Sequence, residues 1–488
     1  MTDPNLIRVE GTERTFHRLK VLAVLLLPLS MSLMALSAVN VALPTIEVGL
    51  GASPTDVQWI LSGYALAFGV SLIPAGRAGD VLGRGTWFLI GLVLFLGASL
   101  VCGLAPNPLV LNAARIVQGV GAGIFSPQVT GMIQQYFTGQ GRAKAFALFG
   151  LVISASVAVG PVLTGTIIQA IGPEDGWRWA FFIYIPIGLL AVVLGLLWFP
   201  FENERRRRAG APELVGRKLD LDPVGSVILT LAILCLMFPF MAHAAWAWWL
   251  LPAAPVLAWL WVRWERAYAA RGGAPMVDLS LFAYRSFRNG MLVSGTMFLG
   301  VASTFAVGAI FLQSGLGVAV VLVGLVGLPN AIVSAFSSVW SVRYVLSHGR
   351  QLIVAMLLLM ATGTLLSIGV GLLVPHGAPW WLLSLTLMLN GFGMGVVGSA
   401  NQTLAMQDVP PQHGGTAGGI KQTVERIGAA LGNAMVVGVL FTLVPRGWTT
   451  AFAGAYGMIL VCILAAAALA VLDERQHRRP VGPSAAAG

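Results

Sequence analysis

Long apolar runs recur along this chain of 488 residues, and they constrain its fold more than any other feature. A helix needs about 20 apolar residues to cross the hydrocarbon core of a bilayer. The chain has fourteen such runs, approximately 21–43, 57–76, 86–104, 108–134, 145–168, 179–200, 223–242, 246–263, 289–313, 317–340, 351–374, 379–405, 415–443 and 449–472. Only 10% of the residues are charged, against about 25% in soluble domains. The sequence therefore predicts an all-α integral membrane protein and excludes water-soluble enzymes, disordered chains and disulfide scaffolds.

The basic residues test the number of spans independently. If the N-terminus is cytoplasmic and the loops alternate, 24 of the 29 Lys and Arg residues lie on the cytoplasmic side and only Arg178 and Arg446 lie outside. Lys and Arg in short loops set the orientation of membrane helices. We therefore expect fourteen spans in the plasma membrane, with both termini cytoplasmic. The net charge of +10 then faces the anionic cytoplasmic leaflet and does not indicate nucleic-acid binding.

Two long cytoplasmic segments divide the spans into six, two and six. The predicted parts are a cytoplasmic N-terminus (1–20), an N-terminal six-helix bundle (21–200), a loop (201–222), two extra spans (223–263), a loop (264–288), a C-terminal six-helix bundle (289–472) and a disordered tail (473–488). The Arg205–Arg208 run is predicted to face anionic lipid. Between the ninth and tenth spans the chain must turn within Ser314 to Gly317.

The sequence has no residue spacing typical of a metal site, a cofactor site or a disulfide. The three cysteines and six histidines are scattered, so we expect no metal and no disulfide. The nucleotide-binding pattern Gly-x-x-x-x-Gly-Lys-Ser/Thr does not occur, so we expect neither a cofactor nor direct use of ATP.

The segment after the second span, Gly76-Arg77-Ala78-Gly79-Asp80-Val81-Leu82-Gly83-Arg84, is rich in glycine and charge. Glycine allows a tight turn and close approach of helices. Asp80 can accept the positive end of a neighbouring helix or an arginine across the bundle. We predict a latch formed by Gly76, Asp80, Gly83 and Arg84, and the alternative is an ordinary helix-capping turn.

The fifth span has small residues at intervals of four, including Gly160, and such spacing lets helices pack backbone to backbone. Pro161 removes one helical hydrogen bond and favours a bend. With Gly165, these residues are typical of a close-packed, bent helix that closes a gate. A simple packing kink is the alternative.

These stretches resemble motifs of the major facilitator superfamily. The loop Gly76–Arg84, the run Arg115-Ile116-Val117-Gln118-Gly119 and the run Gly160-Pro161-Val162-Leu163-Thr164-Gly165 are similar to three of its motifs. Asn40–Ile46, Trp177–Trp179 and Gly414–Ala434 resemble its fourteen-span drug:proton antiporter branch. The resemblance implies two pseudosymmetric six-helix halves, two spans outside that core, and antibiotic or multidrug efflux driven by the proton motive force. In that branch an aspartate usually lies five residues before Asn40, whereas this chain has Ala35 there.

Few ionisable residues lie deep in the predicted spans. A charge such as Arg115 costs at least about 2.5 kcal/mol there, so it must face the protein interior or water. Arg115 could organise a polar network with Gln118, or it could be held by backbone carbonyls. Glu425 is the one deep acid, with Lys421 one turn before it and Arg426 adjacent. Burial favours the protonated form of a carboxyl group, and a neighbouring cation opposes this. Glu425 is therefore a candidate for proton coupling, and a local ion pair with Lys421 is the alternative.

The other deep polar residues carry amides or hydroxyls. The candidates for a substrate cavity are Asn40, Tyr64, Gln118, Gln313, Asn330, Asn390 and Asn401. A cavity with few hydrogen-bonding groups is typical of sites for large, mainly apolar solutes.

We therefore predict a monomeric secondary active exporter of hydrophobic or amphipathic small molecules, not an enzyme, that works by alternating access and proton antiport. Its partners are a small-molecule substrate, protons and the lipid bilayer. The absence of a first-span acid favours neutral or anionic substrates. One alternative is a facilitator or mover of lipid-like solutes that needs no proton. Another is a membrane sensor or scaffold without transport, because the second copy of the loop has Leu346 where the first has Asp80.

Overall fold

A computed structural model describes residues 6–8, 15–172, 174–201, 220–242 and 244–478. The run Arg205–Arg208, most of the loop 201–222 and the end of the predicted tail lie outside the described residues.

The described residues are almost entirely helical. The first helices are α1 (Arg18–Ser37), α2 (Val39–Leu50), α3 (Pro54–Leu82), α4 (Arg84–Leu104), α5 (Pro108–Tyr136), α6 (Gly139–Ile171), α7 (Gly176–Phe182) and α8 (Tyr184–Trp198). They are followed by α9 (Pro223–Ala242), α10 (Ala253–Ala270), α11 (Arg285–Val301), α12 (Thr304–Ile310), α13 (Val320–Trp340), α14 (Val342–Leu373), α15 (Leu382–Ala405), α16 (Gly414–Leu443) and α17 (Trp448–Arg478). Two short antiparallel strands, β1 (Leu6–Arg8) and β2 (Thr15–His17), precede α1.

Within the described residues, fourteen helical segments are long and apolar enough to cross a membrane, which confirms the predicted number of spans. Some spans join two elements: α7 and α8 form one, and α11 continues through α12 into a π-helical turn at Phe311–Gly315. The turn predicted within Ser314 to Gly317 lies at the end of this span. Gly317 has a φ of +69° there, a conformation that favours glycine.

The first span ends earlier than the apolar run suggests. The run extends to residue 43, whereas α1 ends at Ser37 and α2 begins at Val39. The side-chain amide of Asn40 donates to the carbonyl oxygens of Leu36 and Ser37, at 3.3 and 3.2 Å. Side chains that bond to nearby backbone carbonyls compete with the regular helical ladder. A hydropathy profile does not detect this break between α1 and α2, because the residues on both sides of it are apolar.

The chain divides into two compact units. Unit 1 comprises residues 1–145, 152–279 and 409–431, and unit 2 comprises residues 146–151, 280–408 and 432–488. In unit 1, α5 packs along α3 and α4, and α8 packs against α1 and α4. T-shaped aromatic pairs fill the space between these helices, such as Phe95 with Phe125 and with Tyr184.

The two extra spans, α9 and α10, pack on each other within unit 1, and α9 also packs along α3. Gln58 of α3 donates to the carbonyl oxygen of Met241 at 2.6 Å, and the rings of Trp59 and Phe238 lie 5.7 Å apart. The extra spans therefore contact α3, which continues through most of the predicted Gly76–Arg84 loop and ends only at Leu82.

Unit 2 is built around α15, which packs on α13 and α14, and around α17, which packs on α11 and α14. Phe311 stacks on Phe452 with ring centres 4.4 Å apart, and the hydroxyl of Tyr456 donates to the carbonyl oxygen of Thr304 at 2.9 Å.

Candidate functional site

The Asp80 carboxylate is the centre of a dense hydrogen-bond cluster in unit 1. It accepts bonds from the backbone N–H groups of Gly415 and Thr416, at 3.0 and 2.7 Å, and from the Thr416 hydroxyl at 2.8 Å. These groups lie in the first turn of α16, whose free N–H groups and dipole favour a negative charge. Asp80 therefore joins the end of α3 to the start of α16, across 335 residues of sequence.

Arg84 supplies the positive partner. Its guanidinium donates to Asp80 Oδ1 through Nε and Nη2, at 2.9 and 2.6 Å. It also donates to the carbonyl oxygens of Gly131 and Pro411, at 2.9 and 2.5 Å. The side chains of Asp80 and Arg84 are only 2% and 6% exposed, so this ion pair is held out of water. Of the two partners considered for Asp80 from the sequence, the helix N-terminus is present, whereas the arginine is the local Arg84 and not one across the bundle.

Glycine makes this contact possible. A Cβ atom on Gly76 would clash with the carbonyl oxygen of Gly415, and one on Gly419 would lie 2.5 Å from the carbonyl oxygen of Leu72. Gly83 separates α3 from α4 with a φ of +120°, a conformation that other residues rarely adopt. Small residues at the contact let helix backbones approach this closely.

Arg115 is fully buried in unit 1. Its Nε donates to the carbonyl oxygen of Ile60 at 2.9 Å, and Nη1 donates to Gln118 Oε1 at 2.6 Å. Gln118 in turn donates to the Ser99 hydroxyl at 2.7 Å. The guanidinium also lies 4.3 Å from the ring centre of Tyr64. Both structures considered from the sequence are therefore present at once, a polar network with Gln118 and a bond to a backbone carbonyl.

The charged residues of α16 form two distinct arrangements. Lys421 donates to Glu425 Oε1 at 2.5 Å, and their side chains are 4% and 20% exposed. Arg426 lies over the ring of Phe68, 4.6 Å from its centre, and makes no ion pair within the described part of the chain. The predicted local ion pair therefore forms in this state, and Glu425 keeps partial access.

The predicted gate residues of α6 contact the break between α1 and α2. A Cβ atom on Gly160 would lie 2.6 Å from the Ser37 hydroxyl, and one on Gly165 would lie 3.7 Å from Val41. Pro161 lies inside α6, which continues without interruption to Ile171. Close packing at Gly160 is thus present, and a gating movement remains a prediction.

The cavity candidates of unit 1 have unequal access. Tyr64 and Gln118 are fully buried, and the Tyr64 hydroxyl donates to the carbonyl oxygen of Ser32 at 2.8 Å. Asn40 is exposed. Tyr64 and Gln118 therefore support Arg115, and only Asn40 of these three is freely accessible.

The candidates of unit 2 also differ. Gln313 is exposed and Asn330 is half-buried. Asn401 is buried and donates to the carbonyl oxygen of Gly290 and to the Ser294 hydroxyl, at 2.9 and 2.6 Å. Asn390 accepts from Thr364 at 3.1 Å, but its buried side-chain N–H₂ group has no partner. Asn390, like Gln402, is thus a buried amide of unit 2 with unused hydrogen-bonding capacity.

Two hydrogen bonds that join α16 to α5 and α3 were not predicted from the sequence. The hydroxyl of Ser126 in α5 donates to Gln422 Oε1 at 2.7 Å, and the Thr423 hydroxyl donates to the carbonyl oxygen of Gly69 at 3.3 Å. A signal was available: Gly414-Gly415 and Gly418-Gly419 repeat at an interval of four, which favours close helix packing. The start of α16 therefore packs on α3 and α5 by a glycine face.

A family model described as Major Facilitator Superfamily matches residues 25–433. The chain belongs to the Major Facilitator Superfamily. It is 32% identical over 417 residues to the probable actinorhodin transporter of Streptomyces coelicolor, covering 84% of this chain and 70% of that protein. It is 30% identical over 432 residues to the tetracenomycin C resistance and export protein of Streptomyces glaucescens, covering 85% and 75% respectively.

The fold agrees with this assignment. The human organic anion transporter MFSD10 superposes with a TM-score of 0.66 at 15% identity, covering 92% of this chain and 99% of that one. The family and the fold expected from the sequence motifs are confirmed. This superfamily member is a multi-pass membrane transporter and not an enzyme.

Proposed function

We propose that this transporter exports hydrophobic or amphipathic small molecules across the plasma membrane by alternating access, as a monomer with both termini cytoplasmic. The observation that carries this proposal is its similarity, over more than four fifths of its length, to a probable actinorhodin transporter and to a tetracenomycin C resistance and export protein. Alternating access requires contacts that form in one state and open in another. We propose that the hydrogen bonds of Asp80 with Arg84 and Gly415, and the close packing at Gly160, are contacts of this kind.

The buried charges favour neutral or anionic solutes. Arg115, Lys421 and Arg426 place three cations in the spans of unit 1, and Glu425 is already paired with one of them. Arg426 stands over Phe68 without an anionic partner in the described residues, so it offers a face to an aromatic anion. Ala35 is 2% exposed and supplies no carboxylate for a cationic drug.

For the drive, we propose proton antiport through Glu425. Glu425 is ion-paired with Lys421 in this structure, and a conformational change that opens this pair would remove the cation from its carboxyl group. Proton uptake at Glu425 would then depend on the conformation of α16. Such dependence is what couples a proton to transport.

The test uses the purified full chain in proteoliposomes with an imposed pH gradient. Three fluorescent aromatic probes are compared: the anion carboxyfluorescein, the neutral Nile red and the cation ethidium. We expect gradient-dependent movement of the anionic or neutral probe and little movement of ethidium. Glu425→Gln should abolish the dependence on the gradient, whereas the control Glu174→Gln, at an exposed loop acid, should behave like the wild type. Unchanged coupling in Glu425→Gln would refute the role of Glu425.

A second candidate is movement of lipid-like solutes without protons. The Lys421–Glu425 ion pair and the absence of an acid at Ala35 favour it. Probe movement at the same rate with and without a gradient would establish this function and exclude antiport. Failure of all three probes to move would favour the sensor or scaffold function.

A further inference from the structure

Two buried carboxyl groups lie together where the extra spans α9 and α10 begin and end. Asp222 immediately precedes α9, Glu265 lies near the end of α10, and each is only 1% exposed. They approach the same point: a Cβ atom on Gly225 would clash with Asp222 Oδ2 and would lie 3.1 Å from Glu265 Oε1. This pair is independent of the transport residues described above.

The two carboxyl groups differ in the hydrogen bonds that they accept. Asp222 Oδ1 accepts from the backbone N–H of Gly225 at 2.9 Å and from Nε1 of Trp264 at 2.8 Å, and Oδ2 accepts from the N–H of Met276 at 3.5 Å. These bonds stabilise an ionised Asp222. By contrast, the donors nearest to Glu265, which are Nε1–H of Trp261 and the backbone N–H groups of Met276 and Val277, do not reach hydrogen-bond geometry with either of its oxygens. A buried carboxylate is disfavoured when its hydrogen bonds are not made.

The charged and titratable groups around the pair do not neutralise it. Arg77 of α3 donates instead to the carbonyl oxygen of Ala274, at 3.4 Å. Asp220 accepts from the N–H of Ala274 and from the hydroxyl of Tyr268, at 2.9 and 2.7 Å. Burial alone would raise the pKa of Asp220, but these hydrogen bonds outweigh it and lower the pKa. Asp220 therefore adds a further negative charge. Within the described residues, neither Asp222 nor Glu265 makes an ion pair.

We infer that Glu265 is a proton-binding site, held as a neutral carboxylic acid beside the ionised Asp222. Two carboxylates buried together cannot both be charged without a cation, so one of them retains its proton. The hydrogen bonds assign the charge to Asp222 and the proton to Glu265. The inference does not depend on the proposed function, because it concerns the resting protein without substrate.

This proton has a structural consequence for the segment 274–276. That segment is tied to Asp220 through Ala274 and to Asp222 through Met276, and it contacts Arg77 of the Gly76–Arg84 loop. Ionisation of Glu265 would place a second charge against Asp222 and weaken this attachment. The extra spans thus bring a proton-sensitive contact to the loop that holds the Asp80 cluster.

The decisive measurement is infrared spectroscopy of the purified full chain in lipid nanodiscs at neutral pH. A protonated carboxyl group has a carbonyl stretch that a carboxylate lacks. We expect one such band to disappear in Glu265→Gln and to persist in the control Glu174→Gln. In Asp222→Asn the band should vanish at lower pH than in the wild type, because the neighbouring negative charge is gone. Loss of no band in Glu265→Gln would overturn the inference.

A second measurement covers the case in which a cation balances the pair. An exposed glutamate ionises above about pH 4.3. If the folded protein keeps this proton to higher pH, its thermal midpoint falls as pH rises, because the folded state binds more protons than the unfolded state. Glu265→Gln should reduce that fall and raise the midpoint above the wild type in alkaline buffer. A lower midpoint at every pH, or a wild-type midpoint that rises with sodium but not with choline, would instead show a paired, ionised Glu265.

Discussion

The loop Gly76–Arg84 of unit 1 and its counterpart Val342–Arg350 of unit 2 occupy equivalent positions in the sequence but are built differently. In the first, Arg84 binds Asp80, four residues earlier, and Asp80 caps the start of α16. In the second, Leu346 replaces the acid and is 53% exposed. Arg350 binds Asp473 of α17 instead, with Nε 3.0 Å from Oδ2.

The backbones differ as well. Gly83 ends α3 with a positive φ, whereas α14 passes through the second loop with a single non-helical residue, His348 (φ −134°, ψ 22°). Asp473 and Arg350 remain 20% and 15% exposed, against 2% and 6% for Asp80 and Arg84. The comparison shows that the arginine is common to both loops, while only the first has a buried acid on a helix N-terminus. We therefore expect the loops to respond unequally to mutation.

Asp80→Ala should have the largest effect. It leaves Arg84 buried without its carboxylate and exposes the first N–H groups of α16, and removing one partner of a buried ion pair costs about 3–5 kcal/mol. The free energy of unfolding, measured in detergent by denaturant titration, should fall by that amount and transport should be lost. A loss below about 1 kcal/mol, the value for an exposed pair, would remove the distinction between the loops.

Gly76→Val should have the next largest effect. The second loop has Val342 at the equivalent position, so the substitution gives both loops the same residue there. In unit 1 the new side chain would meet the carbonyl oxygen of Gly415, and such overpacking costs about 1–3 kcal/mol. The thermal midpoint and the transport rate should both drop. Gly97→Ala is the matched control, since a Cβ atom there meets nothing within 4 Å. Equal stability of the two variants would contradict the close contact.

Asp473→Asn should have a moderate effect. It weakens the bond from Arg350, and Asn289, which donates to Asp473 Oδ1 at 2.7 Å, must reorient. Because the pair is partly exposed, we expect a loss of about 1 kcal/mol in the free energy of unfolding. Asp408→Asn, at an exposed acid of the same unit, serves as the control. A loss as large as that of Asp80→Ala would show that the second loop also depends on its acid.

Leu346→Asp should have the smallest effect. It restores the acid four residues before Arg350, but at an exposed position, where such a pair contributes about 0.3–0.5 kcal/mol. A thermal midpoint within about 2 °C of the wild type is expected. A large stabilisation would mean that sequence spacing alone creates the latch.

Sequence reasoning identified much of the candidate site, for a physical reason. Charged residues in apolar spans are costly, so Arg115, Lys421 and Glu425 stand out from composition alone, and an interval of four residues predicts the Lys421–Glu425 contact. The buried pair of Asp222 and Glu265 was missed, because both residues lie at the ends of spans where charge is common. Nothing in their local sequence shows that α9 and α10 bring them together.

The sequence by itself determined the number of spans, the family and the residues able to carry charge in the membrane, because apolar length and local motifs are properties of neighbouring residues. Only the tertiary structure decided which groups neutralise those charges. Asp80 accepts bonds from the first turn of α16 across 335 residues of sequence, Arg350 binds Asp473, and neither oxygen of Glu265 reaches hydrogen-bond geometry with a donor in the described part of the chain. In a low-dielectric interior the state of a charge depends on the atoms packed against it, and packing is set by the fold.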